Sequence, residues 1–138
     1  MQFELHPQLA ADCHHLGCFD LSIVLLHRNA ALPWFILVPQ TELADLLDLD
    51  TKSRQLVVEE AALISKYLKE ELSYPKVNFA AIGNVVAQMH VHVIGRRPED
   101  VCWPAPVWGH LQTNTAYESS FPETVATTLI ERYGMHRA

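Results

Sequence analysis

The chain has 138 residues, of which 49% are hydrophobic and 19% charged, a balance that suits one globular unit with a real core and argues against extended disorder. Sixteen acidic residues against ten Lys and Arg leave a net charge of -6, which disfavours a broad surface for nucleic acid or anionic lipid. No segment approaches the roughly 18 consecutive apolar residues of a membrane span, and the start MQFELHPQLAADC lacks a basic segment followed by an apolar one, so a cytoplasmic location is expected. Cys13, Cys18 and Cys102 are an odd set without ligand or redox spacing and read as free thiols.

Sheet and helix signals alternate along the chain. His14 and His15 read as surface composition. Residues 19–28 and 34–39 (FDLSIVLLHR and WFILVP) are strand-like, and the five residues between them are short enough for an antiparallel hairpin bounded by Pro33. TELADLLDLD offers a helical turn or two, and Asp50 is placed to cap the next element. That element spans about 51–72: Val57, Ala61, Ile64, Leu68 and Leu72 recur at three and four, with Arg54, Glu59, Glu60, Lys66, Lys69 and Glu70 on a polar side. Pro75 precedes a strand ending at Gly83, and residues 88–94 form another, with Met89, Val91 and Val93 on one face and Gln88, His90 and His92 on the other. Pro98, Pro104, Pro106, Gly109 and Asn114 then imply irregular backbone pinned by Trp103 and Trp108. Ser120 to Glu123 has the pattern of a capping box for a helix carrying Val125, Leu129 and Tyr133. About four strands and two substantial helices result, an α+β fold in a single domain over 1–138.

Chemistry concentrates at Gln88, His90 and His92. A polar alternate face is ordinary on a half-exposed sheet, yet histidines sharing one face also suit nucleophilic and proton-transfer work near neutral pH. The Gly83-Asn84 turn could aim backbone N–H groups at an anion. A zinc site built on His90 and His92 would need a third ligand, and Glu99, Asp100, Cys102 and His110 follow no recognised spacing. Neither a Gly-x-Ser-x-Gly elbow nor a glycine-rich phosphate loop is present.

The segment GNVVAQMHVHVIGRR, residues 83–97, resembles the signature of the histidine-triad family of nucleotide hydrolases and transferases, and the likeness extends back through LLHRNAALPWFILVP to cover about 19–97. CWPAPVWG resembles the carboxy-terminal segment of a bacterial subgroup with glutamine in place of the first triad histidine. The resemblance implies a histidine-triad-like antiparallel sheet with a long amphipathic helix and a C-terminal helix, followed after residue 97 by a Trp/Pro loop, in a homodimer. It implies a nucleotide substrate, no cofactor and no metal. His90 matches the nucleophile that attacks the α-phosphorus, His92 the phosphate-contacting third histidine, and Gln88 the first. His27 falls near the nucleoside ribose, Asn84 near phosphate, and Phe35 at the histidine of the family's Pro-x-His-x-Leu segment, while Trp103 and Trp108 are offered as a wall over a base. Hydrolysis of a phosphoanhydride or phosphoramidate through a nucleotidyl-histidine is the leading expectation, on the lines of a dinucleoside-polyphosphate hydrolase. A nucleotidyl transferase, or a nucleotide-binding or assembly protein with little turnover, stands as the alternative.

Overall fold

Strands with apolar residues on both faces must lie between two layers, and they do so in the computed structural model of the chain, which describes residues 2–137. A short helix α1 (Pro7–Asp12) leads into β1 (Cys13–Cys18), β2 (Ser22–His27) and β3 (Trp34–Pro39). A single 3₁₀ turn (Leu46–Asp48) precedes α2 (Thr51–Glu70), β4 (Lys76–Ala81), β5 (Val91–Arg96) and α3 (Phe121–Tyr133). The strands form one antiparallel sheet in the order β1-β2-β3-β5-β4. Helix α2 carries the chain from β3 out to β4 at the edge, and β5 returns between them.

The long helix follows its sequence pattern. Asp50 caps it by accepting from the Ser53 N–H at 2.7 Å, and Val57, Ala61, Ile64 and Leu68 are buried against Val24, Leu26, Phe35, Leu37, Val91 and Val93 of the sheet. Glu60 departs from expectation. Instead of joining a polar side it is 3% exposed and accepts from the backbone N–H groups of Leu21 and Ser22, at 2.9 and 3.0 Å, where β2 begins. Burial raises its carboxyl pKa, and those two hydrogen bonds oppose the rise.

Three further expectations need correction. The sheet has five strands, since β1 forms over CHHLGC, where two histidines and a glycine interrupt the apolar alternation that marks a strand. Gly17 is required there: a Cβ would lie 2.4 Å from the His136 carbonyl oxygen, where Cys18 and His136 exchange backbone hydrogen bonds of 2.9 and 2.8 Å. The last strand starts at Val91, not residue 88. Ser120 forms no capping box, because its helical φ and ψ of -84° and -14° turn the hydroxyl away from the N–H groups that a cap accepts from. The loop after β5 is held both by Trp108, which packs on Trp34 and His92, and by Arg96, 1% exposed, which donates to Asp100, Asn78 Oδ1 and the Ala105 carbonyl.

Replacing Glu60 with Ala strands two buried N–H donors and should destabilise the protein by about 2–4 kcal/mol in urea unfolding, with Glu60→Gln retaining part of the loss. Equal midpoints for Glu60→Ala and wild type would show that the clamp contributes nothing.

Candidate functional site

Alternation along three neighbouring strands sorts their side chains onto two faces. Val24 and Leu26, Phe35 and Leu37, and Val91 and Val93 point to α2. Leu25, Ile36 and Val38 point the other way, into a smaller cluster with Leu9 of α1 and Cys13. On that second face His27, Trp34 and His92 come together, one from each of β2, β3 and β5.

Register fixes their contacts. Trp34 pairs with Ile94 and Ile36 with His92, so Trp34 and His92 are diagonal neighbours within reach of a long side chain. The indole Nε1–H donates to His92 Nδ1 at 3.0 Å. One step beyond the Leu26–Phe35 pair, His27 stacks on the same indole with centroids 4.5 Å apart and planes 16° from parallel. Trp108 closes the group edge-on, 4.8 Å from the His92 ring and 5.9 Å from Trp34. His90, just before β5, stands with its ring centroid 5.0 Å from that of His92.

These rings line a cavity of about 330 Å³, completed by Gly83 to Val86 and by Gln8, Leu9 and Asp12 of α1. Gly83 has a φ of +68°, a left-handed value that glycine adopts without strain, and it brings the following turn to the mouth beside His90. His90 also borders a second cavity with Asp45, Asp48 and Met89.

The hydrogen bonds assign the protons. A carbonyl oxygen only accepts, so the 2.7 Å contact between His90 Nδ1 and the Gln88 carbonyl places a proton on Nδ1, and in neutral His90 the lone pair lies on Nε2. An indole only donates, so His92 Nδ1 is unprotonated and neutral His92 carries its proton on Nε2. His27 Nδ1 accepts from the Asn29 N–H at 3.1 Å, which gives it the same tautomer as His92. Burial, then the nearby His90 and His27, pushes the His92 pKa down to about 3, and burial lowers that of His27.

Of the residues singled out from sequence, His27, Asn84, His90, His92 and Trp108 converge on this cavity. Gln88 and Trp103 do not. The Gln88 amide points to the amino-terminal segment, accepting from the His6 N–H and donating to the Glu4 carbonyl, both at 2.8 Å. It does so because the backbone at 88 is not yet strand, so the two-residue alternation linking it to His90 does not apply. Trp103 lies 38% exposed, its ring 5.7 Å from the Arg96 guanidinium. Asp100 and Cys102 also face Arg96, and among the described residues no three His, Cys, Asp or Glu side chains gather as a metal site. Phe35 is corrected too: it is buried against Tyr67 on the helix face. Trp34, which the sequence reading passed over, takes the site-facing position one residue earlier, and strict alternation with Ile36 was the signal for it.

A HIT domain model matches residues 8–99. The histidine triad protein of Bradyrhizobium japonicum is 36% identical, covering 94% of this chain and 97% of that one with a TM-score of 0.86. That of Marinobacter aquaeolei is 38% identical, covering 92% and 93% with a TM-score of 0.84. The chain belongs to the HIT-domain family. Another HIT protein, from Sinorhizobium meliloti, is 33% identical over 94% of this chain and 96% of its own, with a TM-score of 0.87. No curated protein matches the chain. HIT membership supports a general nucleotide hydrolase or transferase role, and among the described residues no helix is long and apolar enough to cross a membrane.

The depressed His92 pKa has a testable sign. An unfolded histidine protonates near 6.5 and the folded one near 3, so the stability linked to His92 is complete above pH 6.5 and is lost as pH falls toward 3. Proton NMR should show His92 neutral from pH 8 to 5, and His92→Gln should remove part of the acid destabilisation. A His92 midpoint near 6.5 would contradict the burial argument.

Proposed function

We propose that the protein hydrolyses a nucleotide phosphoanhydride or phosphoramidate through a nucleotidyl-His90 intermediate, with the nucleoside held in the aromatic cavity. The observation that carries this reading is the His90 Nδ1–H bond to the Gln88 carbonyl beside the cavity that His90 lines, because in neutral His90 it puts the lone pair on Nε2 and it stabilises the positive charge that grows on the ring during attack. His92 Nε2–H, the His27 imidazole and the backbone after Gly83 supply neutral donors for phosphate oxygens and ribose. Trp34 and Trp108 offer apolar surface for a base, and the second cavity beside His90 gives the departing group room.

Attack forms the phosphorus–Nε2 bond as the bond to the leaving group breaks. Water then attacks the same phosphorus, the electron pair returns to Nε2, and the water proton passes to solvent. Another acceptor in place of water would make the protein a transferase.

Incubation with a mixed panel of α-phosphate-labelled nucleotides, followed by rapid quench and peptide mapping, should place label on His90. His90→Gly should abolish the label while the fold, judged by circular dichroism, is retained. Hydrolysis at the wild-type rate by folded His90→Gly would refute the mechanism. Retained binding without label or product would instead favour a nucleotide-binding protein with little turnover.

We also infer a homodimer. Among the described residues strand β4 pairs only with β5, and Phe79 and Ile82 near this open edge, with Val58 of α2, are 45%, 43% and 50% exposed. An unpaired apolar edge is a liability that a second copy removes. Sedimentation at micromolar concentration should return twice the 15.6 kDa chain mass, and Phe79→Lys should shift the protein to monomer. A wild-type monomer at these concentrations would exclude the dimer.

A further inference from the structure

We propose that Trp34 is the positioning residue that fixes His92 as its Nε2–H tautomer, a hydrogen-bond donor that does not act as a general acid, and that the site therefore takes nucleotidyl substrates whose leaving group departs without a proton from the protein. The proposal rests on the nucleotidyl-His90 reading and narrows its substrate class.

Three observations carry it. The 3.0 Å bond from Trp34 Nε1 occupies His92 Nδ1 with a donor that has no acceptor capacity. A proton arriving at Nδ1 would face the indole N–H head on. The indole is itself held: His27 stacks on one face and Trp108 meets it edge-on, so it cannot swing aside without dismantling the cavity wall. Finally, His92 is 6% exposed, and its surroundings provide little to stabilise an imidazolium. Its strand partners Ile36 and Ala80 are uncharged, its nearest ring neighbours are His90, Trp34 and Trp108, and the one carboxylate lining the cavity, Asp12, is already bonded to Gln8.

The chemistry follows from proton count. Neutral His92 giving up its Nε2 proton would become an imidazolate anion, far out of reach near neutral pH. A histidine delivers a proton to a leaving group only from the doubly protonated form, and the Trp34 bond excludes that form. The covalent step must then run as follows: the Nε2 pair of His90 forms the bond to phosphorus, the bond from phosphorus to the leaving oxygen breaks, and the pair leaves on that oxygen as an anion. His92 Nε2–H stabilises a phosphate oxygen throughout and keeps its proton. Phosphates and other weakly basic groups leave in this way, whereas alkoxides do not.

Two measurements test the proposal. Long-range proton–nitrogen NMR of nitrogen-15-labelled protein, with His92 assigned through His92→Asn, should show Nδ1 unprotonated and Nε2 protonated from pH 8 to 5. Trp34→Phe, which keeps a ring but removes the donor, should let His92 mix tautomers and titrate. A wild-type His92 protonated on Nδ1, or titrating near 6.5, overturns the proposal without any variant being needed. The second measurement uses nucleoside 5′-aryl phosphates with phenols of graded acidity. Wild-type kcat/KM should fall several-fold for each unit rise in phenol pKa, and Trp34→Phe should fall less steeply, so that the ratio of variant to wild type climbs toward the most basic phenols. An adduct on His90 with a rate indifferent to phenol acidity, or identical slopes for the two proteins, overturns the inference alone. Absence of any His90 adduct overturns the catalytic reading, and the substrate clause with it.

Discussion

Everything at the site depends on the register between β3 and β5. With Ile36 opposite His92 and Trp34 opposite Ile94, the diagonal from indole to imidazole is set by the backbone, and a slip of one residue would turn His92 toward α2 and Val93 toward the cavity. The register is itself held from the other face, where Phe35, Leu37, Val91 and Val93 are at most 1% exposed beneath α2. One set of side chains thus secures the sheet by hydrophobic burial, and the alternate set is freed for hydrogen bonds and stacking. Glu60 ties the helix to the same sheet by holding the first two N–H groups before and at the start of β2, two strands away from His92.

The site trades solvation for definition. Burying imidazoles costs free energy unless each nitrogen is used, and here each of the three rings has its Nδ1 committed: His90 to a carbonyl, His92 to an indole, His27 to a backbone N–H. Their Nε2 atoms are left for a ligand. The partners differ in kind, and that difference separates the roles. In the neutral ring a carbonyl partner leaves its histidine with a bare Nε2; an indole or amide N–H leaves its histidine with an Nε2–H donor. Two neutral imidazoles with centroids 5.0 Å apart therefore present an acceptor and a donor to the same cavity.

Much of this was legible in sequence where a local pattern had one physical meaning. The spacing of Val57, Ala61, Ile64 and Leu68 fits an amphipathic helix, and Asp50 before it is placed to cap it, as it does. The hairpin around 29–33 and the inward set Met89, Val91 and Val93 followed in the same way. Strand β1 was hidden because CHHLGC owes its pairing to β2 and to the distant His136, neither of which is a local signal. Glu60 was misplaced because its partners are backbone N–H groups 38 and 39 residues away. At the site, the histidine pair was plain, but Gln88 was grouped with it on the assumption that strand alternation began at 88. Trp34 is legible only through strict alternation, which sends Phe35 and Leu37 to the core and leaves Trp34 and Ile36 on the opposite face.

The electrostatics of the cavity bear on what anion it can hold. Among the described residues no Lys or Arg lines it, and Asp12 does, in a chain whose net charge is already -6. Coulomb attraction therefore contributes little to drawing a phosphate in. Under the proposed function, binding comes from hydrogen bonds and from apolar contact with the nucleoside, both short-ranged and strengthened by the exclusion of water. Neutral donors of fixed tautomer suit that task better than cations would, since they need not be desolvated as ions before the ligand arrives. A depressed His92 pKa is then a consequence of the same economy of charge: the burial that keeps His92 neutral is the low-dielectric setting in which a neutral N–H is most effective toward charge on a bound group.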